Sequence, residues 1–329
     1  MDCLAIEERG PGLMNYHGLW VALPHLDVYG TDVIGGVVKL FSSEAIISLF
    51  DPWVLSEAGF SITGKPWYAW FPVDQEKPPY HLREQVKHMA KPVVYSQYAA
   101  ERIKGAVVIE PPINTDIFIP GDKLAAKRFI GMEDTERLVG LVGSNIVGDR
   151  KALYHQVKGF AKYAKGRPEI KMLLVTEPRG FIDLVKLVND LEMQQQIFFI
   201  EPFTKNYNLC DNHLLANTYR AFDVLLHASA AEGFGMCIAE AMACGTPVIY
   251  TDNTSQPEAT GGLGYAVRDM EWRNNPHGGR WQYPTVDGVA GALEAWESGA
   301  ANWTVETLRA QAERFAPAVI AAKWQEVLG

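Results

Sequence analysis

Cysteine is scarce in this chain. The four present, Cys3, Cys210, Cys237 and Cys244, form no CxxC pair and have no histidine-rich company. That spacing excludes a zinc site and a disulfide framework, and fits a reduced compartment. Long apolar runs are missing as well, since none approaches the ~20 residues that cross a membrane. The opening residues, MDCLAIEERGPG, put acids where a signal peptide needs basic and apolar residues. The expected setting is therefore soluble and cytoplasmic. There is no internal repeat, no low-complexity segment and no excess of basic charge. Net charge is −9, so non-specific attraction of the whole surface to nucleic acid or anionic membrane is not expected. A local basic groove is still allowed.

What is present is core material: 48% of the 329 residues are hydrophobic and 21% are charged. That length favours two domains of ordinary size. Short apolar runs alternate with longer amphipathic ones, the pattern of parallel strands joined by helices. EAIISLF (44–50), PWYAWF (66–71), PVVYS (92–96) and GAVVIE (105–110) read as strands, with helices over 79–90 and 96–103. PPINTDIFIPGD (111–122) has the prolines and turn formers of a linker. A second series follows at 137–144, 171–176, 197–203, 223–229 and 247–252, with helices near 151–165, 180–191, 211–221 and 235–244. Repeated strand–helix alternation implies a doubly wound α/β domain. The expected architecture is two Rossmann-like domains facing a cleft: 1–122, then 123–310, with a C-terminal helix at 311–329 packing back on the first. Ligands of such sheets favour the carboxyl ends of the strands.

One stretch carries chemistry. AEGFGMCIAEAMACGTPVI (231–249) follows the strand DVLLHAS and turns the chain through AAEGFG into a helix. Gly233 and Gly235 permit backbone positions that a side chain would obstruct. The free N–H groups of the new helix suit a phosphate or a sugar hydroxyl. Glu232 sits in the turn, and Glu240 lies about one and a half turns into the helix. The two carboxylates thus serve different parts of one elongated ligand, and a carboxylate can accept from both hydroxyls of a vicinal diol. The plainer reading makes Glu232 a helix-terminal charge and Glu240 a solvated residue. Against it, Glu240 precedes the apolar AMACGTPVI, where an isolated charge wants a partner.

This E-x7-E segment, with HAS before it and TDNTSQPE after it, resembles the nucleotide-sugar site of glycosyltransferase family 4, retaining enzymes of the GT-B fold. The resemblance covers 137–329 well and the first half loosely. It implies that Glu232 meets the transferred sugar and Glu240 holds the ribose. Gly233, Phe234, Gly235 and Met236 would lend backbone to sugar and phosphate. It also implies that Arg150 and Lys151, in GSNIVGDRKALYHQVKGF (143–160), meet the diphosphate. Their types suit that task, because Arg forks two phosphate oxygens and Lys supplies a point charge. The alternative for this pair is a solvated basic turn.

The chain contains no Asp-x-Asp, so a metal-independent reaction with no cofactor is expected, cations and helix N-termini carrying the leaving group's charge. In the first half, Asp51 and Asp74 each follow a strand and are candidates for sugar contacts, or else are caps. His25, Asp27, Gly30 and Asp32 form a turn-rich loop of the same ambiguous kind. PWYAW reads as core, with an acceptor platform as the alternative. EWRNNPHGGRWQYP (271–284) reads as an aromatic, basic loop that either packs on itself or stacks on a base, sugar or single strand. The strand and glycine loop that usually open family members are missing here, which implies a compact variant or a truncated form. The reading is a transferase using a UDP- or GDP-sugar. Short chains of this kind also resemble phage glycosyltransferases, which makes hydroxymethylated DNA an alternative acceptor. A non-catalytic nucleotide-sugar-binding partner of another transferase is the rival of a different class.

Overall fold

The computed structural model describes residues 29–55, 59–146, 148–200, 212–276, 278–301 and 303–329, and the backbone of three strands before them. Those strands are β1 (Leu4–Ile6), β2 (Gly12–Tyr16) and β3 (Leu19–Leu23), in the order β1-β3-β2. The loop residues His25 and Asp27, and Cys3 and Cys210, lie outside the described residues. Contacts divide the chain into two units. The first comprises 1–73, 77–95 and 99–108; the second comprises 74–76, 96–98 and 109–329.

The first unit is built on a parallel sheet of β4 (Ile46–Leu49), β5 (Trp67–Phe71), β6 (Lys91–Val94) and β7 (Val107–Val108), in that order. Its register follows from the period of two along β5, where Trp67, Ala69 and Phe71 are buried and the residues between them are not. Trp67 donates to Ser48 Oγ at 2.9 Å. PWYAW is therefore strand and core, as the short apolar run implied.

The second unit holds six parallel strands: β8 (Arg137–Val142), β9 (Ile170–Val175), β10 (Ile197–Ile200), β11 (Val224–His227), β12 (Val248–Thr251) and β13 (Tyr265–Val267). Their order is β10-β9-β8-β11-β12-β13. Helices on both faces explain why these strands read as unbroken apolar runs: Val139, Leu141, Met172, Leu174, Val224, Leu226 and Ile249 share one core. The order reverses between β8 and β11, so the loops leaving those two strands flank the switch point where doubly wound sheets bind ligands.

Two segments differ from the sequence expectation. Residues 271–284 are not a loop but mostly an antiparallel hairpin of β14 (Met270–Asn274) and β15 (Arg280–Pro284). Trp281 and Tyr283 are buried while Arg280 is exposed, a period-two face that the tight turn at Asn275–Gly279 concealed. The segment 111–122 lacks regular structure yet belongs to the second unit. There Ile113 and Phe118 are buried, and the Ile113 N–H donates to the Phe315 carbonyl at 2.8 Å. Pro317 marks the expected break as the first residue of the last helix, Pro317–Leu328, where its missing N–H costs nothing. Among the described residues no helix is long and apolar enough to cross a membrane.

Candidate active site

The β8 and β11 loops are stitched together by backbone. Ala230 N donates to Arg150 O at 2.9 Å, and Arg150 Nη1 returns a bond to Ala231 O at 2.8 Å. Gln156, buried on the helix Leu153–Ala164, completes the seam: its Nε2 donates to Lys151 O at 2.6 Å and its Oε1 accepts from Ala228 N at 2.8 Å. Ala152 joins that helix to the basic pair with φ +49°, a conformation that costs an L-residue roughly 1–2 kcal/mol. It is held there by burial among Ala230, Ala231, Trp281 and Tyr283. The small residues of the β11 loop are what permit so close an approach.

The seam sets two cations on one acid. Lys151 Nζ donates to Glu232 Oε1 at 2.5 Å, and Arg150 Nη1 donates to Oε2 at 3.0 Å. His227 Nε2, itself buried, stands 3.1 Å from Oε1. Glu232 is only 5% exposed. Burial alone would raise its carboxyl, but Lys151, Arg150 and His227 together hold it well below the usual range. Burial lowers His227, against the pull of its bond to Glu232. Arg150 Nε also lies 3.5 Å from Asp74 Oδ2, a residue whose contacts place it in the second unit. The backbone of Glu232 is fixed by Thr254 and Ser255, beyond β12, at 3.1 and 2.8 Å.

Past Glu232 the chain enters the helix Met236–Ala243 through Gly235, whose φ of +98° requires glycine; Gly233 has no such requirement. Phe234 turns away and packs edge-on against Phe315 at 4.9 Å, so only its backbone can serve a ligand. Met236 is 44% exposed at the helix start. Glu240 is half-buried one turn on, with Oε2 accepting from Tyr219 at 2.8 Å. Burial raises its carboxyl, and the Tyr219 bond partly offsets that.

The structure thus brings Arg150, Lys151, Glu232 and Asp74 together and sets Glu240 further along the same helix. Asp51 lies in the first unit, at the start of the 3-10 turn Pro52–Val54, without a side-chain capping bond. Asp51 and burial together raise the Tyr95 hydroxyl, burial having the larger effect. His227, Gln156, Tyr219 and Asp149 escaped the sequence reading. Asp149, directly before Arg150, is pushed up to about 6 by burial, opposed by its bond from Leu153 N–H and by Arg273. Among the described residues no three His, Cys, Asp or Glu side chains converge as metal ligands.

Residues 136–272 match the family model described as glycosyl transferases group 1. The curated relatives include D-inositol 3-phosphate glycosyltransferases. That of Mycobacteroides abscessus is 34% identical over 168 residues, 50% of this chain and 33% of its own length. That of Mycobacterium sp. strain KMS is 32% identical over 167 residues, 49% of this chain and 34% of its own. The matched stretch thus spans about a third of these relatives. Among solved structures, sucrose-phosphate synthase from Thermosynechococcus elongatus superposes with a TM-score of 0.75 at 17% identity, covering 99% of this chain and 88% of that one. Anabaena HepE in complex with UDP-glucose gives 0.71 at 17%, covering 95% and 86%. The fold is therefore α/β with parallel sheets, that of the GT-B glycosyltransferases.

Proposed function

We propose that the protein is a retaining glycosyltransferase of the family 4 type, moving a sugar from a nucleoside diphosphate sugar. The carrying observation is the grip of Arg150 and Lys151 on Glu232 at the switch point of a sheet whose segment 136–272 matches the group 1 model. A carboxylate between two cations stands where phosphate oxygens would be held. On this reading Arg150 and Lys151 turn to the diphosphate when the donor binds. The N–H groups of 235–237 meet phosphate or sugar, and Glu240 accepts from the ribose diol. Glu232, held by His227 at 3.1 Å, then faces the transferred sugar. As the glycosidic bond lengthens, the sugar gains oxocarbenium character and negative charge grows on the leaving phosphate, where the two cations stabilise it. The acceptor attacks from the face the diphosphate leaves, so configuration is retained. No divalent metal or cofactor is assigned a part, and the cytoplasmic setting expected from the sequence is kept.

HepE bound to UDP-glucose makes a UDP-sugar the first donor to try, with GDP-sugars next. The names of the relatives make a phosphorylated polyol or sugar the first acceptor class. The test is a thermal-shift panel of UDP-, GDP- and ADP-sugars, after which the stabilising donor is offered to phosphorylated polyols and to hydroxymethylated DNA. Stabilisation by a donor that is consumed supports the reading. Stabilisation with neither transfer nor donor hydrolysis overturns it in favour of a non-catalytic nucleotide-sugar-binding partner.

A further inference from the structure

Among the described residues, one oxygen of the Glu240 carboxylate is already engaged and the other is not. Tyr219 lies on the helix Asn212–Ala221 and is wholly buried. Its ring is held edge-on by Phe222 at 6.1 Å and by Phe118 at 6.0 Å. Its carbonyl accepts from Thr246 Oγ1 at 2.7 Å, just past the helix that carries Glu240, so the two helices are tied on either side of the contact. From this fixed ring the phenol donates to Glu240 Oε2 at 2.8 Å.

We propose that Tyr219 is a positioning residue for the nucleotide's ribose, its hydroxyl fixing Glu240 so that Oε1 meets the sugar diol. The proposal rests on the ribose role given to Glu240 above. A glutamate with three free torsions must be ordered when a ligand arrives, and that ordering costs affinity. A phenol donating to a carboxylate makes a charge-assisted bond that orders it beforehand. The same bond opposes the effect of burial, which raises the Glu240 carboxyl. The Cys237 thiol also meets the Tyr219 hydroxyl, and burial pushes that thiol up to about 12, so it stays neutral. Tyr219 touches no substrate in this arrangement and acts only through Glu240.

The experiment titrates the full chain and its Tyr219→Phe, Glu240→Ala and double variants with UDP, GDP and ADP and with their 2′-deoxy counterparts. Wild type is expected to prefer the ribo form. Tyr219→Phe should shrink that preference roughly three- to tenfold, as loss of one ordinary hydrogen bond, felt only through Glu240, implies. The double variant should match Glu240→Ala. Affinity for the 2′-deoxy form is the control for folding, because a merely structural defect weakens both forms alike and leaves their ratio at the wild-type value. An unchanged ratio in Tyr219→Phe, with the ratio lost in Glu240→Ala, overturns the role of Tyr219 alone. An unchanged ratio in Glu240→Ala removes the ribose assignment itself, and the proposal with it.

Discussion

Replacing Glu232 by Gln separates stability from ligand binding, because the two should move in opposite directions. The substitution keeps the shape of the side chain and removes the charge between Lys151 and Arg150. An amide has one acceptor oxygen, so one cation is left facing an N–H group. Breaking a buried ion pair costs about 3–5 kcal/mol. Here the side chains of Lys151 and Arg150 are 18% and 31% exposed and can turn toward water, which brings the expected cost to about 2–3 kcal/mol. For a unit of this size that is a fall in Tm of roughly 4–12 °C. A nucleoside diphosphate should nevertheless bind as tightly as before or up to about tenfold tighter, since its oxygens no longer compete with a carboxylate for the same two cations. Transfer should slow by about 100-fold or more if Glu232 acts on the sugar in the transition state. Melting curves with and without UDP and GDP, calorimetric titration and donor turnover read the three quantities. A variant with wild-type Tm and a diphosphate affinity weakened tenfold or more would refute the shared-cation argument.

Arg150→Ala and Lys151→Ala should each reduce kcat more than nucleoside affinity, because charge accumulates on the leaving group; steady-state kinetics with wild-type turnover in both would remove the assignment. Transfer should persist in excess EDTA and gain nothing from Mn²⁺, and activity lost in EDTA and restored by Mn²⁺ would redirect attention to Asp51 and Asp74. Asp149→Asn should stabilise the protein by about 1–3 kcal/mol at pH 7.5 and by much less at pH 4. The sign follows from a folded-state pKa raised to about 6 from 3.8: stability from this group is present below 3.8 and lost as pH rises through 6. Glu232 works in the other direction, its depressed carboxyl giving stability above about 4.5 that is lost as pH falls further. Acid unfolding of Glu232→Gln should therefore begin from a lower Tm and fall less steeply than that of wild type.

The second unit was legible because strands covered on both faces leave continuous apolar runs: β8, β10, β11 and β12 fall within the stretches so read, and β9 begins one residue before its own. The E-x7-E spacing also put Glu232 in a turn and Glu240 on the following helix, as the structure has them. What surrounds those carboxylates was not legible. Tyr219 reaches Glu240 from another helix, and Gln156 reaches Ala228 from the helix after β8. Such pairings depend on how helices dock on a sheet, and no local spacing encodes them. His227 lay in plain view in the HAS triplet, but a lone strand-end histidine carries no signal of the carboxylate it meets. The β14–β15 hairpin was hidden because charged and amide residues alternate with its buried aromatics, and paired glycines occupy its turn.

Loops that carry function are commonly the first parts of a protein to exchange their amide hydrogens. The seam between the β8 and β11 loops reverses that expectation. The amides of Ala228 and Ala230 belong to buried residues and donate to the buried Gln156 side chain and to the Arg150 carbonyl. Releasing the Ala228 amide means parting the helix Leu153–Ala164 from the sheet, and releasing that of Ala230 means parting the β8 loop from the β11 loop. These two amides should therefore exchange as slowly as those of β8 and β11, and the site would then exist only in molecules whose second unit is fully folded.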